Sequence, residues 1–136
     1  MLKMHQFTSA SLLHIALTLL FLWVAALQLN DPDPLFWCLL YLFTATVPLM
    51  AFFHIPAEKQ APVLALACGF CLAGFILVLP GASEYLNHIS QESLVQDMSP
   101  EKPYIEEARE LIGTAVALAA IITYWILNKR KITQPD

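Results

Sequence analysis

Four long intervals without a charged side chain constrain this chain more than any other feature. There are 27 residues between Lys3 and Asp31, 24 between Asp33 and Glu58, 24 between Lys59 and Glu84, and 18 between Glu110 and Lys129. A charge-free apolar run of about 18 residues or more matches a bilayer core of ~30 Å at the helical rise of 1.5 Å per residue. Within 136 residues, 58% of the chain is hydrophobic and 13% charged. A soluble domain carries about 25% charged residues, so a soluble enzyme, a nucleic-acid binder and a disulfide-stapled secreted domain are excluded.

The predicted fold is an all-α, integral membrane four-helix bundle of antiparallel hairpins in a single domain, 1–136. Helices are expected over about 7–29, 35–53, 63–79 and 103–127. Pro62 is tolerated in the first turn of the third, and Pro80-Gly81 is expected to end it. The segment 81–102 is the one sizeable extramembrane piece. Ser83 there is placed to cap a short interfacial helix from Glu84 to about Asp97, with Leu86, Ile89 and Leu94 toward lipid. Residues 128–136 read as a polar tail.

Four spans put both termini on one side. Lys3, Lys59, Lys129, Arg130 and Lys131 fall on that side, and only Lys102 and Arg109 on the other. The positive-inside bias therefore predicts cytoplasmic termini, in a plasma (inner) membrane. The competing reading of helix 1 as a cleaved signal, with Val24-Ala25-Ala26 before the cut, is disfavoured by the length of the apolar run. With this orientation nine acids face outward against two bases, a net of −7 on a chain of net −4. Such an acidic cap raises the local cation concentration and suits a divalent ion or a basic partner, although outer loops also need charge simply to stay wet.

Two motifs stand at that face. The first, Gln28-Leu29-Asn30-Asp31-Pro32-Asp33-Pro34, joins helices 1 and 2. Asn30 tolerates the left-handed conformation that closes a helix. Asp33 is placed to cap helix 2 with Pro34 at its first position. Asp31 has no local partner. The second motif, Glu106-Glu107-Ala108-Arg109-Glu110-Leu111-Ile112-Gly113, opens helix 4. At helical spacing Glu106, Arg109, Glu110 and Gly113 share one face. Gly113 and Ala117 offer a small surface for close helix approach, and Ala65, Gly69 and Ala73 on helix 3 are the expected match.

Arg109 requires a carboxylate, with Glu106 and Glu110 available on its own helix and Asp31 across the bundle. The expected arrangement is a hydrogen-bonded clasp of Asn30, Asp31, Arg109 and Glu110. Asp31, Glu107 and Glu110 are the candidate metal ligands, and oxygen donors of this kind suit calcium or magnesium. With no thiol or imidazole beside them except His88, zinc is disfavoured.

The pair of motifs, Gln28-x-Asn30-Asp31-Pro32-Asp33 with Trp37 following, and Glu106-Glu107-x-Arg109-Glu110-Leu111-x-Gly113, resembles the transmembrane protein 220 family. The resemblance implies the same four-helix hairpin arrangement in a small membrane protein. It implies no reaction, because the family has no established activity. It is weakest over Gly81 to Lys102 and in the tail.

Weaker signals remain. His14 lies about 10 Å inside helix 1 by helical rise, a depth at which an ionisable group is a functional candidate, and Thr18 could satisfy it. His54 sits at the inner edge of helix 2, about 10 Å off in depth, so the two histidines make a poor haem pair. Cys68-Gly69-Phe70-Cys71 has redox spacing but lies within a helix, where cysteine acts as a small packing residue. No structural disulfide is expected. The tryptophans and tyrosines partly fit interfacial anchoring.

The preferred reading is a non-catalytic binding or accessory protein in the lipid bilayer, whose acidic cap takes a cation, a protein partner or a second copy, without nucleic acid or resident cofactor. The alternative is a membrane-embedded, metal-assisted enzyme acting at the outer surface through Asp31, Arg109 and Glu110. Ion transport is disfavoured because the spans lack the acidic residues or broken helices expected of an ion path.

Overall fold

A computed structural model of the chain describes residues 8–97 and 99–133. Lys3, the Phe7 start of helix 1 and Asp136 lie outside the described residues. The chain forms α1 (Ser9–Leu27), α2 (Pro34–Phe52), α3 (Ala57–Tyr85) and α4 (Pro103–Thr133), with a 3-10 turn at Gln28–Asn30. All four helices are long and apolar enough to cross a membrane.

Local chemistry sets most of the ends. Thr8 caps α1, its hydroxyl accepting from the Ser11 N–H at 3.3 Å. Pro34 and Pro103 open α2 and α4, where a missing N–H leaves nothing unpaired. His54, φ 55°, turns the chain left-handed just after α2, the conformation that releases a helix terminus.

Several boundaries depart from the sequence reading. Pro80-Gly81 does not end α3, which continues to Tyr85. A proline can be tolerated inside a spanning helix; the carbonyl it leaves without a helical donor is that of Ile76, four residues back, whereas the Ser83 hydroxyl donates to the Pro80 carbonyl at 2.6 Å. Ser83 is thereby used within α3 rather than as the cap of a new helix. Among the described residues no separate helix forms between Glu84 and Asp97; residues 86–91 are turns. The presumed polar tail is helical as far as Thr133.

The core is layered along the bundle. Phe21 and Ala25 of α1 meet Trp37, Leu40 and Tyr41 of α2, Cys71 and Val78 of α3, and Ala117 of α4. A second layer joins Val47, Leu64, Ala67, Ile121 and Tyr124. A third, toward the Asp31 end, joins Ala82, Tyr85, Ile105 and Ala108. Leu12, Leu19, Trp23, Leu72 and Ile76 are exposed on the outside, the apolar belt that a bilayer covers.

Close packing is real but lies elsewhere than the expected stripe. Gly69 has nothing within 4 Å of where a Cβ would stand, and Ala65 is exposed. In the middle of α3 the glycine that faces inward is Gly74, whose Cβ would meet Leu40 Cδ1 at 3.2 Å and Trp37 Cζ3 at 3.3 Å. Gly113 does accept a close neighbour, but it is the Tyr41 hydroxyl of α2. Ala117 is fully buried and Ala73 half-buried.

Candidate functional site

The α1–α2 turn brings one carboxylate inward. Asp31 follows the 3-10 turn in an extended conformation (φ −75°, ψ 157°), as a residue before proline must. Its N–H donates to the Gln28 carbonyl at 3.1 Å, and only 7% of its surface is exposed. Asn30 occupies the 3-10 turn rather than the left-handed conformation. Asp33 stands at the N-cap position of α2, but its side chain makes no capping hydrogen bond.

Asp31 meets the start of α4. Asp31, Glu106 and Glu110 each place an oxygen within 4.8 Å of the others. Glu106 and Glu110 are one turn apart and so project together. Burial first, then the carboxylates of Glu106 and Asp33, push the Asp31 carboxyl from its ordinary 3.8 up to about 6. Asp31 Oδ2 is buried without a hydrogen-bond partner, as is Gln28 Oε1 in the same connection. Buried polar atoms without partners are uncommon and costly.

The third expected ligand is displaced. Glu107 lies against Gly81 of α3, so that a Cβ at Gly81 would run into its carboxylate. Glu106 takes its place in the cluster. The helical face shared by Glu106, Glu110 and Gly113 carried this signal, because Glu107 is about 100° off it at 3.6 residues per turn.

Arg109 does not face Asp31, and the direct clasp of Asn30, Asp31, Arg109 and Glu110 is corrected. Its Nε and Nη2 donate to the carbonyls of Leu94 and Gln96, and its Nη1 donates to Glu106 Oε2 at 3.0 Å. The two motifs therefore touch through carboxylates, with the guanidinium tied to the cluster only through Glu106. Carbonyls of a turn segment that lacks its own helix need donors, and a guanidinium carries several in a fixed fork.

The same segment is pinned at three further points. Tyr85 donates its hydroxyl to the Glu92 carbonyl at 2.9 Å. Lys102 Nζ donates to Glu92 Oε1 at 2.6 Å. That ammonium holds the Glu92 carboxyl below its ordinary range and is itself held protonated more firmly. The rings of His88 and Tyr104 stack, 4.7 Å between centroids.

A cleft of about 770 Å³ opens beside the cluster. Pro34, Phe36, Trp37 and Phe70 supply apolar wall, and Asp33, Glu106, Glu107 and Glu110 supply the acids.

The histidine and cysteine candidates lie apart from this site. His14 Nδ1 shares a 2.6 Å hydrogen bond with the Tyr124 hydroxyl, while Thr18 donates to the His14 carbonyl instead of its ring. Cys71 is buried and Cys68 half-buried. At the opposite end of the bundle a polar pair went unanticipated. Asn128 donates to Gln60 Oε1 at 3.0 Å, and Gln60 donates to the Ile55 carbonyl at 2.7 Å. Both amides sit beside charged residues at the span ends, Gln60 after Lys59 and Asn128 before Lys129, so no break in an apolar run marked them.

Four apolar helices with this hairpin order define an integral, multi-pass membrane protein. The family model described as transmembrane family 220, helix, matches residues 20–126. The chain belongs to that family, and the match includes both motifs of the carboxylate cluster. No curated protein and no solved structure matches it.

Proposed function

We propose that this is a non-catalytic membrane protein whose Asp31–Glu106–Glu110 cluster binds one divalent cation, calcium or magnesium. The observation that supports it is Asp31: a carboxylate nine-tenths buried, with an unpartnered oxygen, aimed at two further carboxylates. A hard cation would relieve the repulsion among three acids and give the orphan oxygen a partner. Among the described residues Arg109 pairs with Glu106 alone and, held on Leu94 and Gln96, leaves Asp31 and Glu110 without a base. With the topology predicted from the basic residues, the cluster stands at the outer surface, where the acidic cap concentrates cations.

The arrangement gives less support to an enzyme using Asp31, Arg109 and Glu110. That reading needs the guanidinium free to stabilise charge on a substrate, and here it is spent on backbone carbonyls and Glu106.

The test is thermal melting of detergent-purified protein with calcium, magnesium, manganese, zinc or a chelator. A ligand at 100 times its Kd adds about 2.7 kcal/mol of stability. The proposal expects a clear rise with calcium or magnesium, absent from Asp31→Asn and Glu110→Gln. No rise with any ion in the wild type overturns it.

A further inference from the structure

At the end of the bundle remote from Asp31, the first half of α3 and the last half of α4 enclose an open groove of about 500 Å³. Its α3 wall is small, with Ala57, Ala61 and Ala65, and its α4 wall is larger, with Ile122, Trp125 and Ile132. It runs from Ala57 to Cys68 on one wall and from Ile121 to Ile132 on the other. Each wall is about 16 Å long at 1.5 Å per residue, half of a ~30 Å hydrocarbon core. The groove thus has the depth of one leaflet.

Its mouth is cationic. Lys129 lines it, with Nζ 4.2 Å from the centroid of the Trp125 ring. Arg130 and Lys131 follow, and Lys59 lies in the first turns of α3. Among the described residues none of these four has a carboxylate within ion-pair distance. Glu58, the acid at this end among the described residues, lines the neighbouring cleft with His54 and Lys131.

We infer that this groove binds one anionic phospholipid, its acyl chain along the alanine wall and its phosphate at Lys129. An apolar trough of leaflet depth with a basic rim has the charge and length of that molecule. A second copy of the chain fits less well: two-fold pairing over this groove would set one Lys129-Arg130-Lys131 run against another. The inference is independent of the carboxylate cluster.

The test uses full-length protein in nanodiscs with both leaflets alike, in a Trp23→Phe background. Trp23 is exposed, whereas Trp37 is 5% exposed and lines the cleft at the other end of the bundle, so quenching by brominated acyl chains reports chiefly Trp125, and the part lost in Trp125→Phe is taken as its share. Brominated phosphatidylglycerol is expected to associate with Trp125 about fivefold more strongly than brominated phosphatidylcholine, as one surface lysine provides. The preference should vanish in Lys129→Glu, a substitution at an exposed position, and quenching by both lipids should fall in Ala61→Phe. Equal quenching by the two lipids, or a preference that survives Lys129→Glu, overturns the inference. So does Trp125 shielded from both lipids in a cross-linkable dimer, which assigns the groove to a second copy.

Discussion

The carboxylates of Asp31 and Glu110 approach within 4.8 Å, while the guanidinium of Arg109, next to Glu110 in sequence, is turned to the carbonyls of Leu94 and Gln96. Two acids meet at the end of the bundle, and the nearest base holds a neighbouring turn in place instead of neutralising them. Asp31 and Glu110 therefore face each other without a base between them, while Glu106 keeps the cluster's one ion pair among the described residues.

The burial of Asp31 beside other carboxylates makes stability depend on pH in a specified direction. Asp31 titrates near 6 in the fold against an ordinary 3.8, so the folded state takes up the proton first. Its contribution is fully favourable below about pH 4 and is lost as pH rises through 6. In chelator, the melting temperature should rise between pH 7 and pH 5. Asp31→Asn, which mimics the protonated form, should flatten that dependence. Saturating calcium at pH 7 should do the same, and calcium affinity should fall below pH 6 as protons compete.

Arg109→Ala should release the 92–97 segment. It removes donors from Leu94, Gln96 and Glu106 together, and a hydrogen bond from a charged group is worth about 1.5–3 kcal/mol. Limited proteolysis should cut this segment earlier than in the wild type. Arg109→Lys should restore little, because an ammonium lacks the planar fork.

Glycine substitutions should separate the true packing face from the one read in the sequence. Gly113→Ala pushes a methyl into the Tyr41 hydroxyl and should cost about 1–3 kcal/mol. Gly69→Ala has open space and should be neutral or slightly stabilising through helix propensity. Melting temperatures of the two variants decide it.

At the other end, Asn128→Leu should destabilise by about 1–3 kcal/mol by leaving the buried Gln60 oxygen without its donor. The double substitution Gln60→Leu with Asn128→Leu should recover part of the loss, which a double-mutant cycle measures.

The spans were legible because a bilayer demands long apolar runs, and charge gaps report those directly. The α3 boundary was not, because proline breaks helices in water more reliably than in a membrane bundle, and α3 runs through Pro80 to Tyr85. The two motifs could be assigned to one end of the bundle, since topology alone brings them there. Which acid completes the cluster depends on helical phase, and Glu106 shares the Glu110 face whereas Glu107 falls toward Gly81. The choice of Arg109 between a distant carboxylate and unpaired carbonyls was not legible. It depends on where residues 92–97 fold back, and that segment carries no periodic pattern. Gly113 was readable as a site of close approach, but its neighbour on α2 depends on how the helices are arranged about one another.

Isothermal titration of purified protein with calcium, and separately with magnesium, at pH 7.5 tests the cation site most directly. The account predicts saturable binding of one ion per chain with at least one of the two metals, and its loss in Asp31→Asn and Glu110→Gln while both variants still melt cooperatively. Absence of saturable binding with either metal, or binding that persists unchanged in Asp31→Asn, would contradict it.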